Sequence, residues 1–267
     1  MLQRHSIFLL FLLVSLTVSS CGVNVYPVSK DIELGAEIDA EIKANPEEYP
    51  VLRNESVRGY LQGIVDEIIR APEVEYDGRF AYRVTVIHDD RTLNAFATPG
   101  GYIYVYTGLL RYLDSEAAIA GVLAHEIAHS EERHGTEHMT QSLGLGTLMS
   151  AADLESESKI TQIAASSAAL LGTLANSRAD ESEADEMAFL YLEGSRFWPG
   201  GIKLFFERMV LEQGRGSSMF DSWLSTHPDP ADRIADINGM LKERQTPAPT
   251  AEMLGASRYR AMLRTLQ

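Results

Sequence analysis

Apolar positions along this chain follow two different periods. Over 31–44 and 55–70, Ile, Leu and Val recur at the three- and four-residue spacing of an amphipathic helix, and Asn45-Pro-Glu-Glu-Tyr-Pro50 breaks the pattern between them. Phe80 to Ile87 and Tyr102 to Tyr106 are instead rich in β-branched and aromatic residues, which predicts two strands joined through a turn at Pro99-Gly100-Gly101. From Ser115 to His129 helix formers dominate, with Ser115 as N-cap and Asp114 beside it at the positive end of the helix dipole. Later helices are expected over 181–193, 200–213 and 231–244. The Ala/Gly/Ser-rich stretch from Met139 to Asn176 also reads as helical, either a packed hairpin or a cover over the site with a hinge at Asp153-Leu-Glu-Ser-Glu157. These elements make an α+β fold, mostly helical with one small sheet, in a single domain over 30–245. Beyond it, 246–267 reads as a Pro-rich linker and one short helix, with no helical-repeat array.

The N-terminus has a different character. Arg4 and His5 precede an apolar run from Ile7 to Val18 that is too short to span a bilayer comfortably, and the segment closes on Val18-Ser-Ser-Cys21-Gly22. Residues 1–20 therefore read as a signal peptide, and small residues before a Cys resemble the bacterial lipobox, with lipid expected on the Cys21 thiol and 21–29 as tether. Cys21 is the chain's single cysteine, so it has no intrachain disulfide partner. Gly22 is not the Asp that favours inner-membrane retention, so the expected address is the periplasmic face of the outer membrane. Thirty-eight acidic against 23 basic residues disfavour nucleic acid and anionic membrane surfaces as partners.

The chemistry concentrates in His125-Glu126-Ile127-Ala128-His129. On a helix, residues four apart leave one face, so both imidazoles can grip one Zn²⁺ while Glu126 stands beside a water it can deprotonate for attack on a carbonyl. Hydrolysis of an amide bond is the implied reaction. Two ligands are too few, since catalytic zinc sites use three and keep one position open. Glu132 and Gly135 stand where a metzincin would carry Gly and His, which excludes that class. His134 and His138 read as surface residues or as partners behind the ligands. A carboxylate further along is the alternative third ligand. Glu181 and Asp185, four apart, can face one way, with Glu181 on the metal and Asp185 accepting a ligand imidazole N–H. From charge alone the same segment reads equally as an acidic, solvated helix start, which Asp180 and Glu183 also satisfy.

Four ordered motifs then carry a resemblance. They are Asn94-Ala-Phe-Ala-Thr-Pro-Gly-Gly101 with the strand after it, His125-Glu-x-x-His129, Ser177-Arg-x-x-Glu181-x-x-Ala-Asp185, and Ser225-Thr-His227-Pro followed by Arg233. Over about residues 30–245 the chain resembles the gluzincin metallopeptidases of the HtpX and CAAX prenyl protease type. Within them it is similar to the soluble branch of bacterial periplasmic lipoproteins, of LoiP and BepA type. The resemblance implies a gluzincin-type domain with its small sheet beside the His-Glu-x-x-His helix and one Zn²⁺ per chain. It places the ligands at His125, His129 and Glu181, the general base at Glu126 and the ligand-orienting carboxylate at Asp185. It also marks His227 and Arg233, either of which can supply an oxyanion donor, while His227 can alternatively occupy the open metal position as a latch. In gluzincins an edge strand pairs with the substrate backbone, a role that falls here on Asn94, Ala95 and Phe96 or on the following strand. Main-chain pairing reads extension more than side chains, so the expected substrates are unfolded or misassembled polypeptides in envelope quality control. Envelope assembly machinery is a further candidate partner. The rival expectation is a chaperone or assembly scaffold whose hydrolysis is dormant.

Overall fold

The computed structural model describes residue 24 and residues 26–143, 176–213, 218–228 and 230–266. The signal-peptide and lipidation readings, and the hinge and cover expected within 144–175, lie outside them. Helices α1 (Val28–Ala44) and α2 (Glu55–Ile68) come first, the second capped by Asn54, whose side chain accepts the Ser56 and Val57 N–H groups. Strands β1 (Arg83–Ile87), β2 (Ala95–Thr98) and β3 (Tyr102–Tyr106) follow, then α3 (Thr107–Tyr112), α4 (Glu116–Glu131) and α5 (His134–Leu143). The later helices are α6 (Arg178–Glu193), α7 (Gly201–Gln213), α8 (Asp221–Thr226) and α9 (Pro230–Glu243). Two short helices, α10 (Ala251–Leu254) and α11 (Ala256–Leu263), stand where one was expected, because Gly255 turns left-handed at φ 60° between them.

The sheet corrects one expectation. Its order is β1-β3-β2, with β1 and β3 parallel and β2 antiparallel to β3. The Pro99-Gly100-Gly101 turn therefore joins β2 to β3, with Gly100 and Gly101 at φ 75° and 84°, and the two strands legible in the sequence are neighbours without forming a hairpin. Since β3 is paired on both sides, it offers no free edge; β2 does.

Helix α4 is the axis of the molecule. Every residue from Glu116 to Glu131 is buried, because α6 and α7 pack against it, β2 lies alongside, and α2 contacts it as well. This is the uniformly apolar surround that a helix buried on all sides requires. A larger core gathers side chains of α2, α4, α6 and α7, while a smaller one seats Leu34, Ile38 and Ile42 of α1 on Phe96 and Tyr104 of the sheet. The fold thus holds the His-Glu-x-x-His segment rigidly, with the β2 edge at its side.

Candidate metal centre

Two helices supply the donors, and each is locally well started. Ser115 caps α4 by accepting the Ala118 N–H at 3.3 Å. Ser177 and Asp180 form a reciprocal capping box on α6, at 3.2 and 2.8 Å. That box occupies Asp180 at the helix start and leaves the next turn to decide between two acids. Glu181 turns inward with 2% of its side chain exposed, whereas Glu183 is 54% exposed.

His125, His129, Glu181 and His227 meet, one ligand atom from each lying within 4.8 Å of the others. His125 Nε2 is 2.9 Å from His129 Nε2, and Glu181 lies 3.2 Å from His129 Nε2 and 3.5 Å from His125 Nε2. His227 Nδ1 completes the group, 2.9 Å from Glu181 Oε1 and 3.4 Å from His125 Nε2. Two imidazoles and a carboxylate, with a third imidazole at hand, form the nitrogen and oxygen set that zinc accepts. Burial and the neighbouring His125 push His129 well below its ordinary value, which keeps the ring neutral with a lone pair to give. Burial alone would raise Glu181, yet the charges of His227, Arg233 and His125 outweigh it and hold this carboxyl well below the usual range.

The residues behind the donors orient them. Asp185 Oδ1 is 3.0 Å from His125 Nδ1, the ring nitrogen turned away from the donor cluster. His134 plays the equivalent part for His129, with Nδ1 atoms 2.7 Å apart, and is itself 3.3 Å from Glu183. Arg233 is buried beneath this layer. Its Nε and Nη2 donate to the two Asp185 oxygens at 2.7 and 2.6 Å, Nη1 donates to Glu181, and its guanidinium lies 4.3 Å over the Phe206 ring. Arg233 does not line the cleft.

Glu126 faces that cleft. Its Oε1 is buried without a hydrogen-bond partner, 3.5 Å from His227 Nε2. Burial lifts its carboxyl above the ordinary value, and the Ala97 N–H partly offsets the rise. The cleft wall on the β2 side is Phe96, Ala97 and Thr98, a stretch that shares Phe96 with the predicted Asn94 to Phe96 and lies two residues further along. Asn94 and Ala95 close the strand's start locally, the Asn94 side chain accepting the Ala95 N–H at 3.0 Å.

Asn176 was not legible in the sequence. Its amide nitrogen donates to Glu181 Oε1 at 2.7 Å and lies 3.3 Å from His129 Nε2, while its backbone N–H donates to the Thr226 carbonyl at 3.1 Å. It links the carboxylate helix to the His227 segment. A single loop residue before an N-cap carries no periodic signal; only its place directly before Ser177 could have drawn notice.

Residues 55–241 match the model of peptidase family M48. The mitochondrial metalloendopeptidase OMA1 of Schizosaccharomyces pombe is 32% identical over 165 residues, covering 61% of this chain and 48% of that protein. The beta-barrel assembly-enhancing protease of Escherichia coli K12 is 34% identical over 198 residues, 68% of this chain and 38% of its own length. Metalloprotease LoiP of the same organism is 32% identical over 165 residues, covering 60% and 62% respectively. The chain thus spans less than half the length of the first two relatives. The match covers both donor helices, His227 and Arg233, and well over half of the sequence: the chain belongs to peptidase family M48.

Proposed function

We propose that this protein is a zinc-dependent endopeptidase of the bacterial cell envelope that hydrolyses unfolded or misassembled polypeptides. The observation that carries the reading is the convergence of His125, His129 and Glu181 beside an unpartnered, buried Glu126 Oε1. A zinc ion held by those three residues would supply Lewis acidity, polarising the scissile carbonyl and acidifying the attacking water. Glu126 accepts a proton from that water and returns it to the leaving amine nitrogen. Burial raises its affinity for protons, which strengthens it as the base in the first half of that task. Asp185 and His134 hold the two ligand rings in orientation, and Arg233 fixes Asp185 and Glu181 together.

The substrate backbone is expected along β2. Asn94, Phe96 and Thr98 are the residues of β2 and its start that pair through hydrogen bonds with β3, so Ala95 and Ala97 turn their peptide groups to the outer edge. An extended chain fits such an edge; a folded one does not. The envelope address rests on the signal peptide and Cys21 in the sequence, and the bacterial relatives are consistent with it. No helix among the described residues is long and apolar enough to cross a membrane.

One observation favours a second reading, a latent peptidase used as an assembly scaffold: His227 stands among the donors, where it would close the position that a substrate carbonyl needs. Casein cleavage by the mature chain and by Glu126→Gln, with zinc quantified in both, separates the readings. Turnover by the wild type alone, with zinc in both proteins, is the expected result. Zinc without turnover would favour the scaffold, and a folded protein that binds no zinc would end the peptidase reading.

A further inference from the structure

The beginning of the described chain is fastened to the rim of the cleft. Asn24 Nδ2 donates to Thr136 Oγ1 at 2.8 Å and to the Arg133 carbonyl at 3.4 Å, and Asn24 Oδ1 accepts the Tyr26 N–H at 3.0 Å. Arg133, in the left-handed region at φ 60°, donates to the Tyr26 carbonyl and to Asp31 Oδ2 at 2.9 and 2.6 Å. The Thr136 hydroxyl donates to Asp31 Oδ1 at 2.7 Å. This is no loose surface contact, since Asp31 is 1% exposed and Thr136 fully buried. Asp31, Arg133 and Thr136 also line the cleft that contains Glu126, His129 and His227.

Cys21 precedes Asn24 by three residues. At about 3.5 Å per residue, that chain reaches about 10 Å at most. Whatever holds Cys21 is therefore held beside the cleft rim. The opposite pole is equally defined. Helix α4 has 16 residues and is about 24 Å long, with the Arg133 junction just past its C-terminal end and α10 and α11 packed on it at the Glu116 end.

We infer that the cleft opens toward the membrane surface and that this enzyme cuts extended polypeptide segments lying at that surface, in preference to chains free in solution. The inference rests on the envelope-peptidase reading and the lipid anchor at Cys21 proposed above, and it names their substrate class. The charge around the rim agrees with it. Glu132, Glu137 and Glu183 stand at the anchored end of the molecule, and like-charge repulsion from anionic headgroups acts over about 8 Å at physiological salt. The tether draws the cleft down while these acids keep it from lying flat, which leaves the gap that an extended chain needs.

The test uses the lipidated protein on vesicles of phosphatidylethanolamine and phosphatidylglycerol carrying a headgroup acceptor dye. Because Cys21 is the chain's single cysteine and bears the lipid, Glu137→Cys and Arg260→Cys each offer one site for a donor dye. Energy transfer to the headgroups is expected to be roughly twofold or more stronger from position 137, given the length of α4 between the two poles. Inserting about 30 Gly/Ser residues between Val23 and Asn24 frees the orientation and should abolish the difference. In the same vesicles, cuts on an unfolded chain anchored by one end should fall within its first ~15 residues for the native protein and move outward for the inserted variant. Equal or reversed transfer, a protein that does not associate with the vesicles, or cut positions indifferent to the insertion would each overturn the inference. A protein that cuts neither free casein nor the vesicle-anchored chain would sink the peptidase reading, while the transfer efficiencies decide the orientation without turnover.

Discussion

His227 reaches the metal centre on the least regular backbone of the four donors. It is the residue after α8, at φ −127° and ψ 87°, and its ring stacks on Trp223 with centroids 4.4 Å apart and planes 28° from parallel. Held by the Trp223 stack and by its contacts to Glu181 and His125 but carried outside any helix, His227 is the donor whose departure would disturb the two donor helices least when substrate arrives. If the ring must vacate the site for turnover, apparent activity is reduced by the fraction of molecules in which it has done so. His227→Ala, assayed with zinc in excess, should therefore raise kcat/KM on casein by about tenfold, equivalent to about 1.4 kcal/mol, while zinc affinity falls. A loss of about 10²–10³ in kcat would instead identify an oxyanion donor. At this scale, legibility followed sequence proximity. His125, Glu126 and His129 share one helix, so their spacing alone brings them together. Glu181 and Glu183 were equivalent by charge and spacing; the resemblance chose between them, and the structure separates them by burial. His134 is close in sequence to His129, yet spacing alone does not separate a surface role from a supporting one; its 2.7 Å contact with that ring does. Asn176 joins the site only through the fold.

Among the elements, those with a strong local period were legible and those made by pairing were not. The long helices appear within a few residues of their expected bounds because apolar spacing marks them directly. Strand β2 is four residues of Ala-Phe-Ala-Thr, too short to show alternation, so the sequence presented a turn between two strands and concealed the third. Parallel pairing of β1 with β3 also has no local signature. The α4–α7 contact is equally hidden. A Cβ on Gly121 would lie 2.1 Å from the Ile202 backbone nitrogen, so these helices touch main chain to main chain. The far end of α4 yields a pH prediction. Glu131 accepts the Glu75 N–H at 2.8 Å and the Tyr76 N–H at 3.3 Å, tying the loop before β1 to the metal helix. Burial pushes its carboxyl from the ordinary 4.5 up to about 7, against the pull of those two donors. In that window the folded state binds more protons than the unfolded state, so stability falls as pH rises from about 4.5 to about 7. Urea unfolding at pH 5 and pH 8 should show Glu131→Gln gaining on the wild type at the higher pH. An unchanged difference between the two proteins would refute the assignment.

For the molecule as a whole, the segment after α9 is the piece whose role its sequence conceals. Gln-Thr-Pro-Ala-Pro-Thr250 has the composition of a spacer, yet the Trp198 indole donates to the Pro247 carbonyl at 3.2 Å and holds it against the body. Arg258 then donates to Glu116, a buried carboxylate in the first turn of α4 that also receives the Tyr60 hydroxyl at 2.9 Å and Arg196 at 2.9 Å. Acid at this helix end is favourable for the dipole, and three donors compensate its burial. Tyr259 is fully buried, its hydroxyl donating to the Leu110 carbonyl at 2.7 Å, and Met262 and Leu266 enter the same core. The tail therefore clamps the metal helix from the end opposite the chemistry. Tyr259→Ala should destabilise the fold by about 3–5 kcal/mol, the range for emptying a large aromatic site, and lower Tm by about 10 °C. Tyr259→Phe keeps the ring and loses only the hydroxyl's bond, so it should lose about 1 kcal/mol. Both variants should bind zinc normally well below their melting temperatures, since no donor lies within the clamp. Thermal melts followed by circular dichroism, with and without added zinc, measure all of this. An unchanged Tm in Tyr259→Ala would mean the tail is a passenger, and lost zinc affinity in a folded variant would mean the clamp positions the donors themselves.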